Sequence, residues 1–273
     1  MSSYLDQILA SIRERNEAMK VALGPNDTSR LVAQRGDSPR GFAAAVSPST
    51  DRILIVGEIK NATPDGGIIR DDFDAGSIAR DLQASGAVAL SVATESQFYQ
   101  GSLDDLQSAR ENTHIPVLRK DFIIDPYQVP RSYGAGADAI LVIVRAVPDD
   151  GVLQQIFDAA ENIHLDVLTE VNDERDCERL LKIGQNAPNA LRVVGVSSRN
   201  LDTFQIDLSR PAKLAAFFSD ATTLLTLGGI KTRADIQTIA DSCPRLNRFV
   251  IGRGLLRAKY PGDALSALLK AEE

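Results

Sequence analysis

From residue 52 onward the sequence alternates, eight times over, between a short β-branched run and an amphipathic stretch of helical period. The runs are RILIVGEIK (52–60), AVALSVAT (87–94), IPVLRKDF (115–122), DAILVIV (138–144), LDVLTEV (165–171), RVVGVSS (192–198), TTLLTLGG (222–229) and RFVIGRG (248–254). Between them lie segments such as GSLDDLQSAR, DDGVLQQIFDAAENI, DERDCERLLKIG and TRADIQTIADSC, which open on residues such as Asp149, Asp173 or Thr232 that can cap exposed backbone N–H groups. Pro261 opens the last one, where a first helical turn tolerates it. Strands separated by helices pair in parallel, and eight such units close naturally into an α/β fold, the (β/α)8 or TIM barrel. A doubly wound open sheet is the rival, but no GxGxxG follows the first run. Residues 1–51 stand outside the repeat. SYLDQILASIRERNEAMKVAL reads as a helix with Tyr4, Ile8, Ile12 and Met19 along one side, followed by a Pro/Ser/Gly-rich stretch anchored by Phe42. This is expected to be an N-terminal helical extension lying over a barrel formed by residues 52–273, one domain in all.

Charges sit where a buried strand should carry only hydrophobes. Successive strand side chains face opposite sides, so in the first run Ile53, Ile55, Gly57 and Ile59 share one face and Leu54, Val56, Glu58 and Lys60 share the other. With the β-branched face turned to the helices, Glu58 and Lys60 point inward. Lys120 in PVLRKDF and Glu170 in VLTEVND end their runs in the same way. Two carboxylates and two ammonium groups then converge on one mouth of the barrel. Unpaired, each buried ion would cost several kcal/mol, which points to catalysis as the reason for keeping them.

Composition removes other chemistries. The 30 Lys+Arg against 37 Asp+Glu give a net charge of −7, so no basic field invites nucleic acid or an anionic membrane. No apolar run reaches transmembrane length, and Asp6 and Arg13 interrupt any signal-like core near the start, so a cytoplasmic location is expected. Cys177 and Cys243 make neither a disulfide framework nor a zinc site. The two histidines, His114 and His164, precede strand runs and fall at the end of the barrel away from the charges. Histidine-based triads and histidine-ligated metals are therefore not expected; neither a metal nor an organic cofactor is, and the partner is a small-molecule substrate.

EIKNATPDGG resembles the EIKKASPSKG signature of the indole-3-glycerol phosphate synthases, the decarboxylating cyclases of tryptophan synthesis. TESQFYQGS, LRKDFIIDPYQV, LTEVND and SSRNL follow in that family's order and spacing, and the amino-terminal extension is typical of it. The resemblance implies that Lys120 is the general acid and Glu170 the general base, with Glu58 and Lys60 the strand-1 pair. It makes Phe98 and Tyr99 the aromatics flanking the aryl ring, with Phe122 beside them, and Arg199 a holder of the aryl carboxylate. Ring closure onto a ketone needs a proton for the developing alkoxide, and burial is expected to lower the Lys120 pKa for that task.

The chain also departs from the family pattern. Ser197 stands for the strand-6 asparagine, and Leu227-Gly228-Gly229 for Glu-Ser-Gly on strand 7. Asn61, Thr63, Asp65 and Gly66 replace Lys, Ser, Ser and Lys of the first motif, and Arg253 follows strand 8 in IGRG. The acid–base centre is kept while the rim is rewritten. Thr63, Ser197, Leu227, Gly228, Gly229, Gly252, Arg253 and Gly254 are the substrate-binding candidates there, Arg253 as a clamp for phosphate or carboxylate. Three further readings stay open: a sister cyclase acting on a phosphate-free aryl or indolyl keto acid, like the homologue that joins indole- and hydroxyphenyl-derived units in scytonemin biosynthesis; another phosphosugar barrel; and a non-catalytic barrel.

Overall fold

The computed structural model describes residues 4–22, 27–47, 52–200 and 205–270. Eight parallel strands run Leu54–Ile59 (β1), Ala89–Ala93 (β2), Val117–Lys120 (β3), Ala139–Ile143 (β4), Asp166–Val171 (β5), Val193–Ser197 (β6), Thr223–Leu227 (β7) and Arg248–Ile251 (β8). Each pairs with its sequence neighbours, and β1 pairs with β8 from Leu54↔Arg248 to Gly57↔Ile251, closing the barrel. The (β/α)8 architecture expected from the alternation is the one found, with each strand a residue or more shorter than its apolar run.

Two apolar layers follow from the period of two. Val56, Ala89, Leu118, Leu141, Leu168 and Leu225 fill the barrel interior, while Ile55, Ile59, Leu90, Val117, Ile140 and Phe249 meet the surrounding helices. Gly57 faces outward, and glycine fits there because a Cβ would lie 2.8 Å from Leu82 of the helix Ala75–Ala84. Asp149, Asp173 and Thr232 cap their helices through Val152 N (2.9 Å), Asp176 N (2.9 Å) and Asp235 N (3.2 Å), each cap contributing about 1 kcal/mol. Between β1 and the helix Ala75–Ala84 the chain adds a small hairpin, Ala62–Thr63 against Gly67–Ile68, that the alternation did not announce.

The N-terminal segment forms helices α1 (Tyr4–Ala22), α2 (Asp27–Gln34) and α3 (Phe42–Val46). The buried side of α1 is Ile8, Leu9, Ile12 and Asn16. Tyr4 is exposed and Met19 only half-buried, so the face lies about one residue round from the expected Tyr4–Ile8–Ile12–Met19 line. Ile8, Leu9, Ile12, Phe42 and Val46 join the barrel-interior cluster. At the strand starts, Asp166 Oδ2 accepts from Ala43 N (2.8 Å) and Arg248 Nε donates to Val46 O (2.6 Å). The boundary expected at 51/52 abuts residues 48–51, which lie outside the described set.

Candidate active site

β1 delivers Glu58 to the interior face at the C-terminal mouth, with Lys60 just beyond it. Lys60 Nζ donates to Glu58 Oε2 at 2.6 Å, and Lys120 Nζ, at the end of β3, lies 3.7 Å from Glu58 Oε1. The Glu58 carboxylate is 6% exposed and pressed against Gly252, where a Cβ would fall 2.3 Å from Oε2. Glycine at 252 therefore has a steric reason of its own beyond any approach to a ligand. Glu170, ending β5, is equally buried, and its Oε1 accepts from Asn172 Nδ2 at 3.0 Å.

These groups line one cleft. Of the residues singled out in the sequence, Glu58, Lys60, Thr63, Tyr99, Lys120, Phe122, Glu170, Ser197, Arg199, Leu227 and Gly228 line it. Phe98, Gly229, Gly252, Arg253 and Gly254 do not line it. Phe98 is half-buried and packs on the interior cluster, and a Cβ on Gly229 (φ +80°) would fall 2.5 Å from Ile206 and 2.9 Å from Ser198. Asp65, one of the departures at the rim, lines it too, and the lining residues not foreseen are Leu5 and Ile8 of α1, Pro64, Ile143 and Val250. Leu5 and Ile8 could have been found only by knowing where α1 lies.

The aromatic side is built on a residue the motif reading passed over. Glu95, 1% exposed, accepts the backbone N–H groups of Gln97 (2.9 Å), Phe98 (2.6 Å) and Tyr99 (3.1 Å), folding the loop after β2 into a fixed turn. An acid followed by a polar turn in TESQFY was the available signal. The turn sets the Tyr99 ring 5.2 Å from Lys120 Nζ and 6.4 Å from the Phe122 ring.

Electrostatics separate the two lysines. Burial pushes the Glu58 carboxyl up, but Lys60 and Lys120 outweigh it and hold it below the usual carboxylate range. Burial pulls the Lys60 ammonium down, and Glu58 only partly restores it, so its pKa is lowered. Burial also pulls on Lys120, yet Tyr99, Glu58 and Glu170 prevail and raise it. The expectation that burial lowers Lys120 is thus corrected: its partners outweigh its desolvation, and Lys60 is the depressed lysine.

Arg253 does not point freely at the cleft. Its Nη2 donates to Thr63 Oγ1 (2.7 Å) and to Asp65 Oδ1, and Arg199 Nη1 lies 3.7 Å from Asp65 Oδ2. Among the described residues no group of three His, Cys, Asp or Glu is placed to hold a metal ion, and no helix is long and apolar enough to cross a membrane. His114 and His164 are exposed and precede their strands. Cys177 is buried under its helix, which pushes its thiol up to about 12.

A closed parallel barrel with acids and lysines gathered at its C-terminal mouth defines the class of (β/α)8-barrel enzymes. Within it, residues 5–268 match the family model described as indole-3-glycerol phosphate synthase. The chain is 38% identical over 271 residues to the indole-3-glycerol phosphate synthase of Rhodospirillum rubrum and 36% identical over 270 residues to that of Koribacter versatilis. Each alignment covers 98% of this chain and all of the relative. The chain belongs to the indole-3-glycerol phosphate synthase family, a family of decarboxylating carbon–carbon lyases. More distant barrels share the fold alone. A 3-hexulose-6-phosphate synthase superposes with a TM-score of 0.59 at 15% identity, over 79% of this chain and 98% of its own. The orotidine 5′-phosphate decarboxylase of Pyrococcus horikoshii gives 0.57 at 13% identity, over 79% and 97%.

Proposed function

We propose that the protein closes an aryl ring onto a ketone with loss of carbon dioxide and water, as indole-3-glycerol phosphate synthases do, and that Lys120 and Glu170 are its acid and base. The supporting observation is the placement of Lys120 between Glu58 and the Tyr99 ring, which keeps a buried ammonium protonated and aimed into the cleft. The ring carbon bearing the carboxylate attacks the ketone carbon, and Lys120 gives its proton to the oxygen as it becomes an alkoxide. Carbon dioxide leaves without its bonding pair, which restores the aromatic ring. The new hydroxyl accepts a second proton, from Lys120 recharged by solvent, and departs as water, while Glu170 takes the proton lost from the carbon beside the nitrogen. Glu58 holds both lysines in place, Tyr99 and Phe122 enclose the aryl ring, and Arg199 takes its carboxylate.

The test is turnover of carboxyphenylaminodeoxyribulose phosphate by the purified protein, followed by indole fluorescence. Fluorescent product formed in step with carbon dioxide supports the reading; neither appearing at any pH between 6 and 10 overturns it. A second reading keeps this chemistry and replaces the substrate by a phosphate-free aryl or indolyl keto acid. It is favoured by the hydrocarbon that Leu227 presents to the cleft, 5% exposed and nested over Gly195, whose Cβ would fall 2.4 Å from Leu227 Cδ1.

A further inference from the structure

The rim of the cleft carries a feature that the acid–base chemistry does not use. Thr63-Pro64-Asp65-Gly66 makes a tight turn, closed by Gly66 N donating to Thr63 O at 3.2 Å. Proline in second position and glycine in fourth are the residues that such a turn favours. The flanking hairpin is pinned to the loop after β2 by Ala62 N donating to Tyr99 O (3.0 Å) and closed at its base by Ile69 N donating to Asn61 O (2.8 Å). Asp65 is therefore held at the lip by its backbone and does not hang from a loose loop.

Its carboxylate meets Arg253, which opens the short helix after the neighbouring β8, with one oxygen on Arg253 Nη2 and the other 3.7 Å from Arg199 Nη1. Thr63 Oγ1 takes a further hydrogen bond from Arg253 at 2.7 Å. The fit extends to Gly66, where a Cβ would stand 2.9 Å from Thr63 Oγ1 and 3.3 Å from Arg253 Nη2. Any side chain at 66 would crowd the guanidinium, so turn, glycine and arginine form one fitted unit. The pair is only about 28% exposed on each side, a setting in which a charge-assisted contact keeps more of its strength than on an open surface.

We propose that Asp65 is a specificity-determining residue: an internal carboxylate that occupies Arg253 and so makes the strand-8 rim select against a dianionic substrate tail such as a phosphate. A doubly charged oxyanion reaching Arg253 has to displace a carboxylate of this same chain and then lie beside it, a like-charge contact held in place by the Pro64–Gly66 turn. A singly charged tail meets less of this repulsion, and a neutral tail meets none. The inference rests on the reading of the cleft as the substrate site, but concerns which charge the rim accepts, not which bonds are made.

Inorganic phosphate is the probe, titrated by calorimetry into the wild type, Asp65→Asn, Asp65→Ser and the Asp65→Asn/Arg253→Ala double variant, each checked by circular dichroism. Removing the internal anion should tighten phosphate binding about ten- to a hundredfold, the worth of one or two charge-assisted hydrogen bonds, in both single variants. The double variant should lose that gain. Equal or weaker phosphate binding in the two single variants, or a gain that survives loss of Arg253, overturns the proposal. KM for carboxyphenylaminodeoxyribulose phosphate, measured on the same proteins, should fall at least tenfold in Asp65→Asn. Absence of turnover in every variant would sink carboxyphenylaminodeoxyribulose phosphate as the substrate while leaving the phosphate titration to decide the role of Asp65.

Discussion

Lys60 and Lys120 sit against the same carboxylate, yet their surroundings push them in opposite directions. An acid must be protonated to act, so activity is lost as pH rises through its pKa. If Lys120 is the acid, the alkaline limb of kcat lies above the ordinary lysine value of 10.5; if Lys60 is, the limb lies below it. Lys120→Ala and Glu170→Gln should each lower kcat by about 10²–10⁴-fold with native circular dichroism. Near-normal turnover in either variant would refute its assigned role. Gly252→Ala should be harmful by a different route, because its methyl would drive Glu58 off Lys60. The expected outcome is a loss of kcat of at least tenfold with an alkaline limb displaced from the wild type's. The four inward charges were legible from alternation alone. The tuning of the lysines was not, because it depends on Tyr99 and Gly252, which reach the site from two other loops.

At the level of single elements, β3 shows how much a short string can hide. Leu118, Lys120 and Phe122 face the interior, so Arg119 and Asp121 face the helices, both buried. Arg119 Nη2 donates to Asp121 Oδ2 (2.7 Å) and Nη1 to Ser132 Oγ (2.9 Å), while Asp121 also accepts from Thr94 Oγ1 (2.7 Å) and Phe122 N (2.8 Å). This network fixes the strand end that carries Lys120. The same alternation that places Lys120 inward places this pair outward, but nothing local says that a neighbouring helix offers Ser132 to receive it. Burial pushes the Asp121 carboxyl up, and Arg119 with the hydrogen bonds more than reverses that, leaving its pKa lowered. A depressed carboxyl contributes stability that is complete above its unfolded value, about 3.9, and is lost as pH falls through the folded value. Asp121→Asn should therefore be less stable than wild type in urea at pH 6, and the gap should narrow below about pH 4. A gap that stays constant down to pH 2 would contradict this. Strands, caps and the eightfold order were readable here; the hairpin at 62–68 was not, since two-residue strands leave no periodicity to detect.

On the scale of the whole molecule, the N-terminal segment is bound to the barrel by charge as well as by packing. Asp138, with no exposed surface, accepts from Arg35 Nη2 (3.0 Å), Arg40 N (2.8 Å) and Val117 N (2.9 Å), and pairs with Arg110. Asp138→Ala would leave Arg35 and Arg110, 3% and 8% exposed, with a buried charge deficit. Destabilisation by about 3–5 kcal/mol is expected in denaturant unfolding, and a change below 1 kcal/mol would show the cluster to be dispensable. That an extension would cover the barrel was visible in its apolar spacing. Its path was not, because the contacts that set it lie about a hundred residues away or more, as from Arg35 to Asp138 or from Val46 to Arg248.

The seam between β1 and β8 bears on how the protein is made. Leu54 finds its ladder partner only at Arg248, so during synthesis the first strand must wait, one edge open, until nearly all of the chain has left the ribosome. Contacts so distant in sequence form slowly, because a long loop must close before any of them is gained. α3 waits with it, since Val46 docks on Arg248. A nascent chain halted short of residue 248 would expose the edges of β1 and β7 together, the state in which strands recruit one another between molecules. Release of the last strand is thus the moment at which this protein passes from an aggregation-prone ribbon to a sealed ring.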